Sequence, residues 1–155
     1  MLSRFAILFV LILAGCNEHS RQMQVLDGHA LQIGAKKLHL YAIDVPELSH
    51  RCGTGAGEWR CGMAAREELT KLIDGHKVEC KPTERDEYNY EVAVCFVGKT
   101  DLGEAMVRSG LARADRHHPE IYAKAEAEAR TAGRGLWAEN HAAAPPSAKP
   151  GTSAN

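Results

Sequence analysis

The chain has 155 residues, enough for one domain of ordinary size and not for two. Charged residues make up 25% and aromatics 6%, as in a soluble globule, and the formal charge is −1. That near-balance argues against a general nucleic-acid coat, whose affinity rests on several lysines and arginines neutralising phosphates, but it leaves room for a local basic groove.

The first sixteen residues, MLSRFAILFVLILAGC, carry one positive charge at Arg4 and an unbroken apolar run from Phe5 to Ala14. That run is far shorter than the roughly 20 residues a bilayer-crossing helix needs, and it suits the core of a signal peptide. Leu13-Ala14-Gly15-Cys16 resembles the bacterial lipobox. Its small residues admit the peptidase, and Cys16 supplies the thiol that takes a diacylglycerol. Residues 1–15 are therefore expected to be a lipoprotein signal peptide and 16–21 a short tether. Several acyl chains, palmitate among them, would anchor the protein firmly in a membrane. Asn17 follows the cysteine, without an aspartate retention signal. The expected address is the periplasmic side of the outer membrane of a Gram-negative bacterium. The folded domain is expected over 22–137. The Ala- and Pro-rich segment 138–155 has no apolar periodicity to offset its ordering entropy and is expected to be disordered.

Cys52, Cys61, Cys80 and Cys95 are even in number and would fold in an oxidising compartment, so they read as disulfide candidates. Three pairings are open. Cys80 and Cys95 lie symmetrically about a turn near Glu87 and Tyr88. This favours a bridge across a hairpin and leaves Cys52 to close a short loop with Cys61. The rival use is a metal site of His50, Cys52 and Cys61, which lacks a compact Cys-x-x-Cys element.

Val25 to Gly28 reads as a strand entering a tight turn, and Ala30 to Ile33 and Lys37 to Ile43 as strands about a turn at Gly34. In the second of these, Leu38, Leu40 and Ala42 share one face and His39, Tyr41 and Ile43 the other. Residues 48–61 read as a loop whose glycines do not match a dinucleotide fingerprint. A helix is expected from about Gly62 to Ile73, with Ala65, Leu69 and Leu72 at helical spacing and Gly75 as its stop. Lys77 to Pro82 and Tyr90 to Val97 read as paired strands. Asp101 offers an N-cap, Glu104 would complete a capping box, and Gly110 ends that helix. The last helix is expected to start near Pro119 and to present Tyr122, Ala125, Ala129 and Ala132 on one face, with Leu136 and Trp137 returning to the body. Strands, one inserted helix, two more strands and two helices describe a mainly β chain: a small Greek-key barrel flanked by helices. Such barrels commonly hold single-stranded nucleic acid or another ligand on one face.

Several segments together resemble the thermonuclease (staphylococcal-nuclease-like) family. They are Val25-Leu26-Asp27-Gly28-His29-Ala30, Tyr41-Ala42-Ile43-Asp44-Val45-Pro46-Glu47, Cys61-Gly62-Met63-Ala64-Ala65, Asp101-Leu102-Gly103, Met106-Val107-Arg108-Ser109-Gly110-Leu111-Ala112 and Arg134-Gly135-Leu136-Trp137. Their order and spacing cover nearly all of residues 22–137. The resemblance implies a five-stranded OB-fold barrel with three α-helices and a calcium-dependent phosphodiesterase acting on DNA and RNA. In such an enzyme a glutamate activates water, acidic groups hold the metal, and two arginines steady the phosphate. Carboxylate oxygens suit a hard cation, and the planar guanidinium fork suits a phosphate that is gaining charge.

Carried over residue by residue, the resemblance places Glu47 as the water-activating glutamate and Asp44 as a metal carboxylate. Asp27 opens the metal-binding turn, but His29 stands where that turn's metal-binding aspartate belongs. His39 occupies the first arginine position and Tyr90 the second, the hairpin reading Asp86-Glu87-Tyr88-Asn89-Tyr90. Losing one such donor costs about a hundredfold to a thousandfold in rate. The expected function is therefore a degenerate, non-catalytic or nearly inactive binding module at the cell envelope. It would be a monomer whose partner is single-stranded nucleic acid or an envelope protein. The alternative is a metal-dependent phosphodiester hydrolase with a rebuilt site. There His29, His39, Asp44 and Glu47 would hold zinc or manganese in place of calcium, because imidazole favours a softer ion.

Overall fold

A computed structural model of the chain describes residues 23–138. Cys16, the expected signal peptide and the expected polar tail lie outside the described residues. Eight strands and three α-helices follow in order: β1 Met23–Val25, β2 Ala30–Ile33, β3 Lys36–Leu40, β4 Ile43–Asp44, α1 Cys61–Ile73, β5 Val78–Arg85, β6 Glu91–Val97, β7 Thr100–Asp101, α2 Leu102–Arg108, β8 Arg113–Ala114 and α3 Ala123–Thr131. The main sheet runs β1-β2-β3-β6-β5, with β7 on β6, while β4 and β8 form a separate pair. β3 and β6 are parallel and the other pairs antiparallel. This is the five-strand OB-type sheet with three helices that the sequence led us to expect.

Alternation builds the core. Leu31, Leu38 and Leu40 from β2 and β3 and Ala93 and Cys95 from β6 turn inward, and Ala65, Leu69 and Ile73 of α1 and Leu102, Met106 and Val107 of α2 cover them. Burying a leucine-sized side chain contributes about 2 kcal/mol, so this cluster is the main source of stability. Both favoured disulfides form, Cys52–Cys61 and Cys80–Cys95. Cys80 and Cys95 face each other directly across the β5–β6 hairpin.

Four local expectations are corrected. The strand expected over Lys37 to Ile43 breaks after Leu40, because Ala42 adopts φ 57°, a left-handed conformation that surrounding structure must hold in place. The chain then swings away from the main sheet, so that Ile43 is buried and no longer shares a face with His39 and Tyr41. β5 extends past Pro82 to Arg85 with a register shift between Pro82 and Glu84, which is tolerated because β5 is an edge strand. Asp101 does cap α2, its Oδ1 accepting from the Gly103 and Glu104 amides at 2.8 and 3.2 Å. The box does not close, since Glu104 turns to Arg108. Finally, α3 begins at Ala123 rather than near Pro119. Tyr122 stands before it and sends its hydroxyl back to Asp101 at 3.0 Å, which pins α3 to α2.

Candidate functional site

Two tight turns and one strand break shape the site. In the first turn, Asp27 Oδ1 accepts from the amides of His29 and Ala30, both at 2.8 Å, and lies 2.9 Å from His29 Nδ1. A Cβ on Gly28 would stand 2.5 Å from Val45 Cγ1 and 2.6 Å from Ala65 Cβ, so only glycine lets this turn lie against α1 and the start of the Val45-Pro46-Glu47 segment. Burial opposes ionisation of Asp27, but the His29 ring and the two amides outweigh it and hold the carboxyl down at about 2.

The second turn closes the β5–β6 hairpin. Asp86 Oδ1 accepts from the Tyr88 and Tyr90 amides at 3.0 and 2.8 Å, and its Oδ2 lies 2.9 Å from His39 Nδ1. Pairing of Ala30 with His39 and the bond from the Leu40 amide to the His29 carbonyl, 2.8 Å, bring the histidines side by side. Their ring centroids are 4.7 Å apart, and the Tyr90 ring is 5.1 Å from His39 on its other flank. Burial, then the neighbouring His29, push the His39 pKa below the ordinary imidazole range against the pull of Asp86 and Asp27. That shift disfavours the charged imidazolium, so His39 is a poor substitute for the permanent charge of an arginine.

The strand break carries the third part. β4 pairs with β8 so that Asp44 faces Arg113 in register. Asp44, Glu47, His50, Cys52, Arg113 and Leu136 line a cleft of about 310 Å³. Glu47 is positioned through its backbone, because its carbonyl lies 1.9 Å from where a Gly62 Cβ would be, at the first turn of α1. The Arg113 guanidinium stacks on the Trp137 ring at 5.1 Å, with Arg130 on the same ring at 4.0 Å.

The six residues that the sequence singled out thus divide. Asp27, His29, His39 and Tyr90 form one cluster, and Asp44 and Glu47 line the cleft with Arg113. Among the described residues, the group of three or more metal-ligand side chains whose donor atoms come together is His50, Cys52 and Cys61, within 4.8 Å of one another. Its two sulfurs are bonded to each other, so the rival reading of these residues as a metal site is corrected to a disulfide beside one histidine. The donor set also does not fit calcium. One family carboxylate is His29, Asp27 is occupied by two amides and an imidazole, and Asp44 pairs in register with a basic residue, Arg113. Arg85, at the end of β5, is tied within its own hairpin, Nη1 donating to the Asn89 carbonyl at 2.9 Å.

Sequence reasoning missed Arg113 and the role of Asp86. Asp86 had a usable signal, an aspartate two residues before a Tyr-Asn turn, where a carboxylate collects backbone amides. Arg113 had none, because its place depends on the two-residue β4–β8 pairing.

Comparisons with known proteins agree with this geometry. The model of the family described as "Staphylococcal nuclease homologue" matches residues 37–139. The chain is similar to a protein named "Succinoglycan biosynthesis protein ExoI" from Rhizobium meliloti, 29% identical over 120 residues, 75% of this chain and 63% of that one. It is also similar to an "Uncharacterized endonuclease" of Haemophilus influenzae, 28% identical over 145 residues, 87% of this chain and 76% of the relative. A third relative, "Probable endonuclease LCL3" of Komagataella phaffii, is 32% identical over 116 residues, 66% of this chain and 50% of its own length. The chain thus spans less than two thirds of two of these three relatives. Sheet order and the family match converge, and the chain belongs to the staphylococcal nuclease homologue family.

Proposed function

We propose that this domain binds single-stranded nucleic acid at the cell envelope, tethered through Cys16, and that it cleaves its ligand by the calcium route slowly or not at all. One observation carries the reading. The positions that hold guanidiniums in the family resemblance are filled by His39, held against Asp86, and by Tyr90. A phosphate in the cleft then meets one lining guanidinium, that of Arg113, and transition-state charge lacks a preorganised pair of donors.

Binding is supported by a different surface feature. Beside Tyr90, a groove of about 360 Å³ is lined by Lys36, Lys37, Arg85, Asn89 and Glu91. Tyr88 is 72% exposed and Tyr90 37%. Exposed aromatics next to lysine and arginine suit bases that stack while the backbone tracks positive charge, and each stacked base is worth about 1–3 kcal/mol. The relatives named as endonucleases lend the same ligand class.

The test is fluorescence anisotropy with a labelled single-stranded oligonucleotide. We expect binding that weakens with salt and falls about tenfold in Tyr88→Ala/Tyr90→Ala, as loss of one or two stacked bases implies. Affinity indifferent to both salt and the double substitution would refute the reading. For the tether, Cys16→Ser is expected to release the protein from membranes in fractionation, and continued sedimentation with them would count against acylation.

A further inference from the structure

We propose that His29 and His39 together form a two-imidazole site for a transition-metal dication, zinc above all, which stands where a guanidinium would stand and anchors a phosphodiester oxygen. The inference rests on the nucleic-acid reading above and names what could supply the missing positive charge.

The geometry is that of prepared ligands. Two imidazoles, His29 from the turn before β2 and His39 from β3, lie with centroids 4.7 Å apart and planes tilted by 54°. Each Nδ1 is held 2.9 Å from a carboxylate, His29 by Asp27 and His39 by Asp86. Those contacts place the proton on Nδ1 and leave the Nε2 lone pair to accept a metal. No hydrogen bond among the described residues uses either Nε2. Metal-binding histidines almost always donate their second nitrogen to such an acceptor, which fixes the tautomer and raises ligand basicity. The bracing extends one step further, because each carboxylate is itself pinned by two backbone amides. An accidental pair of surface histidines does not require two carboxylates, each fixed by its own turn.

The donor chemistry selects the ion. Two imidazole nitrogens favour zinc, nickel or copper over calcium or magnesium, which prefer oxygen. Among the described residues no third histidine, cysteine or carboxylate joins the pair in a closed group, so solvent fills the remaining positions. Exchangeable solvent positions are what a phosphate oxygen needs in order to bind. Tyr90 beside His39 and the Lys36–Lys37 groove beside Tyr90 then continue the strand's path. The dication would restore local positive charge in a chain whose formal net charge is −1.

The test titrates zinc alone, by isothermal titration calorimetry, into full-length protein stripped with EDTA. We expect one ion per chain, no heat from calcium, and affinity reduced at least about tenfold in His29→Ala and His39→Ala. Asp86→Asn keeps the turn's shape and weakens only the brace, and is expected to cost about 10–100-fold. Circular dichroism of each variant reads out folding. Oligonucleotide anisotropy with and without zinc separates the two proposals. Tighter binding with zinc in wild type but not in His39→Ala supports the metal anchor. A zinc isotherm unchanged in both histidine variants, or lost only in His50→Ala, overturns it. Zinc binding that leaves oligonucleotide affinity unmoved also overturns the anchor. In either case, binding that persists in EDTA leaves the nucleic-acid reading intact.

Discussion

On the β2–β3 side of the site, His29 and His39 are each held by a carboxylate that is itself held by two amides. On the β4–β8 side, Asp44, Glu47 and His50 are exposed, and no side-chain hydrogen bond among the described residues fixes them. The first region has lost the family's residue types and kept rigid placement. The second has kept the carboxylates and lost their fixed surroundings. Catalysis on a phosphodiester needs both at once, because a donor stabilises developing charge only if it is already aimed. Retained carboxylates therefore say less about activity than their order and their cationic neighbours do.

The comparison can be broken or sharpened, beginning with the covalent supports. The Cys80–Cys95 bridge braces the hairpin that carries Asp86 and Tyr90, and Cys52–Cys61 braces the loop after Glu47, with sequence separations of 15 and 9. Replacing the first pair with alanine is expected to cost about 3 kcal/mol and the second somewhat less, since chain-entropy loss grows with loop length. Urea unfolding under non-reducing conditions measures both. Equal or reversed losses would mean that the rigid region does not depend on its disulfide as described.

A smaller effect concerns Asp27. Its folded-state pKa is depressed to about 2 from an ordinary 3.8. Its contribution, about 1–2 kcal/mol, is present above about pH 4 and is lost as pH falls through about 2. Asp27→Asn is therefore expected to flatten the acid limb of the stability curve. An unchanged limb would show that the turn does not hold the carboxylate in its charged form. The smallest effect belongs to the open region. Glu47→Gln should change stability by less than about 0.5 kcal/mol, as for an exposed side chain without partners. A larger loss would reveal an anchoring contact for Glu47.

Much of this arrangement was legible in the sequence, for reasons that differ by element. The α1 stripe of Ala65 and Leu69 and the alternating β6 strand follow from periodicity, and Asp101 from its place before Gly103 and Glu104. The disulfides follow from hairpin symmetry. The β4–β8 pair did not show, because two-residue strands have no period and depend on Ala42 adopting a left-handed conformation. With that pair went the place of Arg113 in the cleft lining. The replacement of arginines by His39 and Tyr90 could be read by position alone. That His39 is tied to Asp86 depends on a contact between β3 and the distant β5–β6 turn, which no local pattern encodes.

Single-turnover cleavage of an end-labelled single-stranded DNA or RNA by excess full-length protein in saturating calcium bears most directly on the claim that strand binding has outlived calcium-dependent hydrolysis. The account predicts that the label stays on the intact strand while anisotropy in the same buffer reports a bound complex. Strand scission that calcium supports and Glu47→Gln abolishes would contradict it.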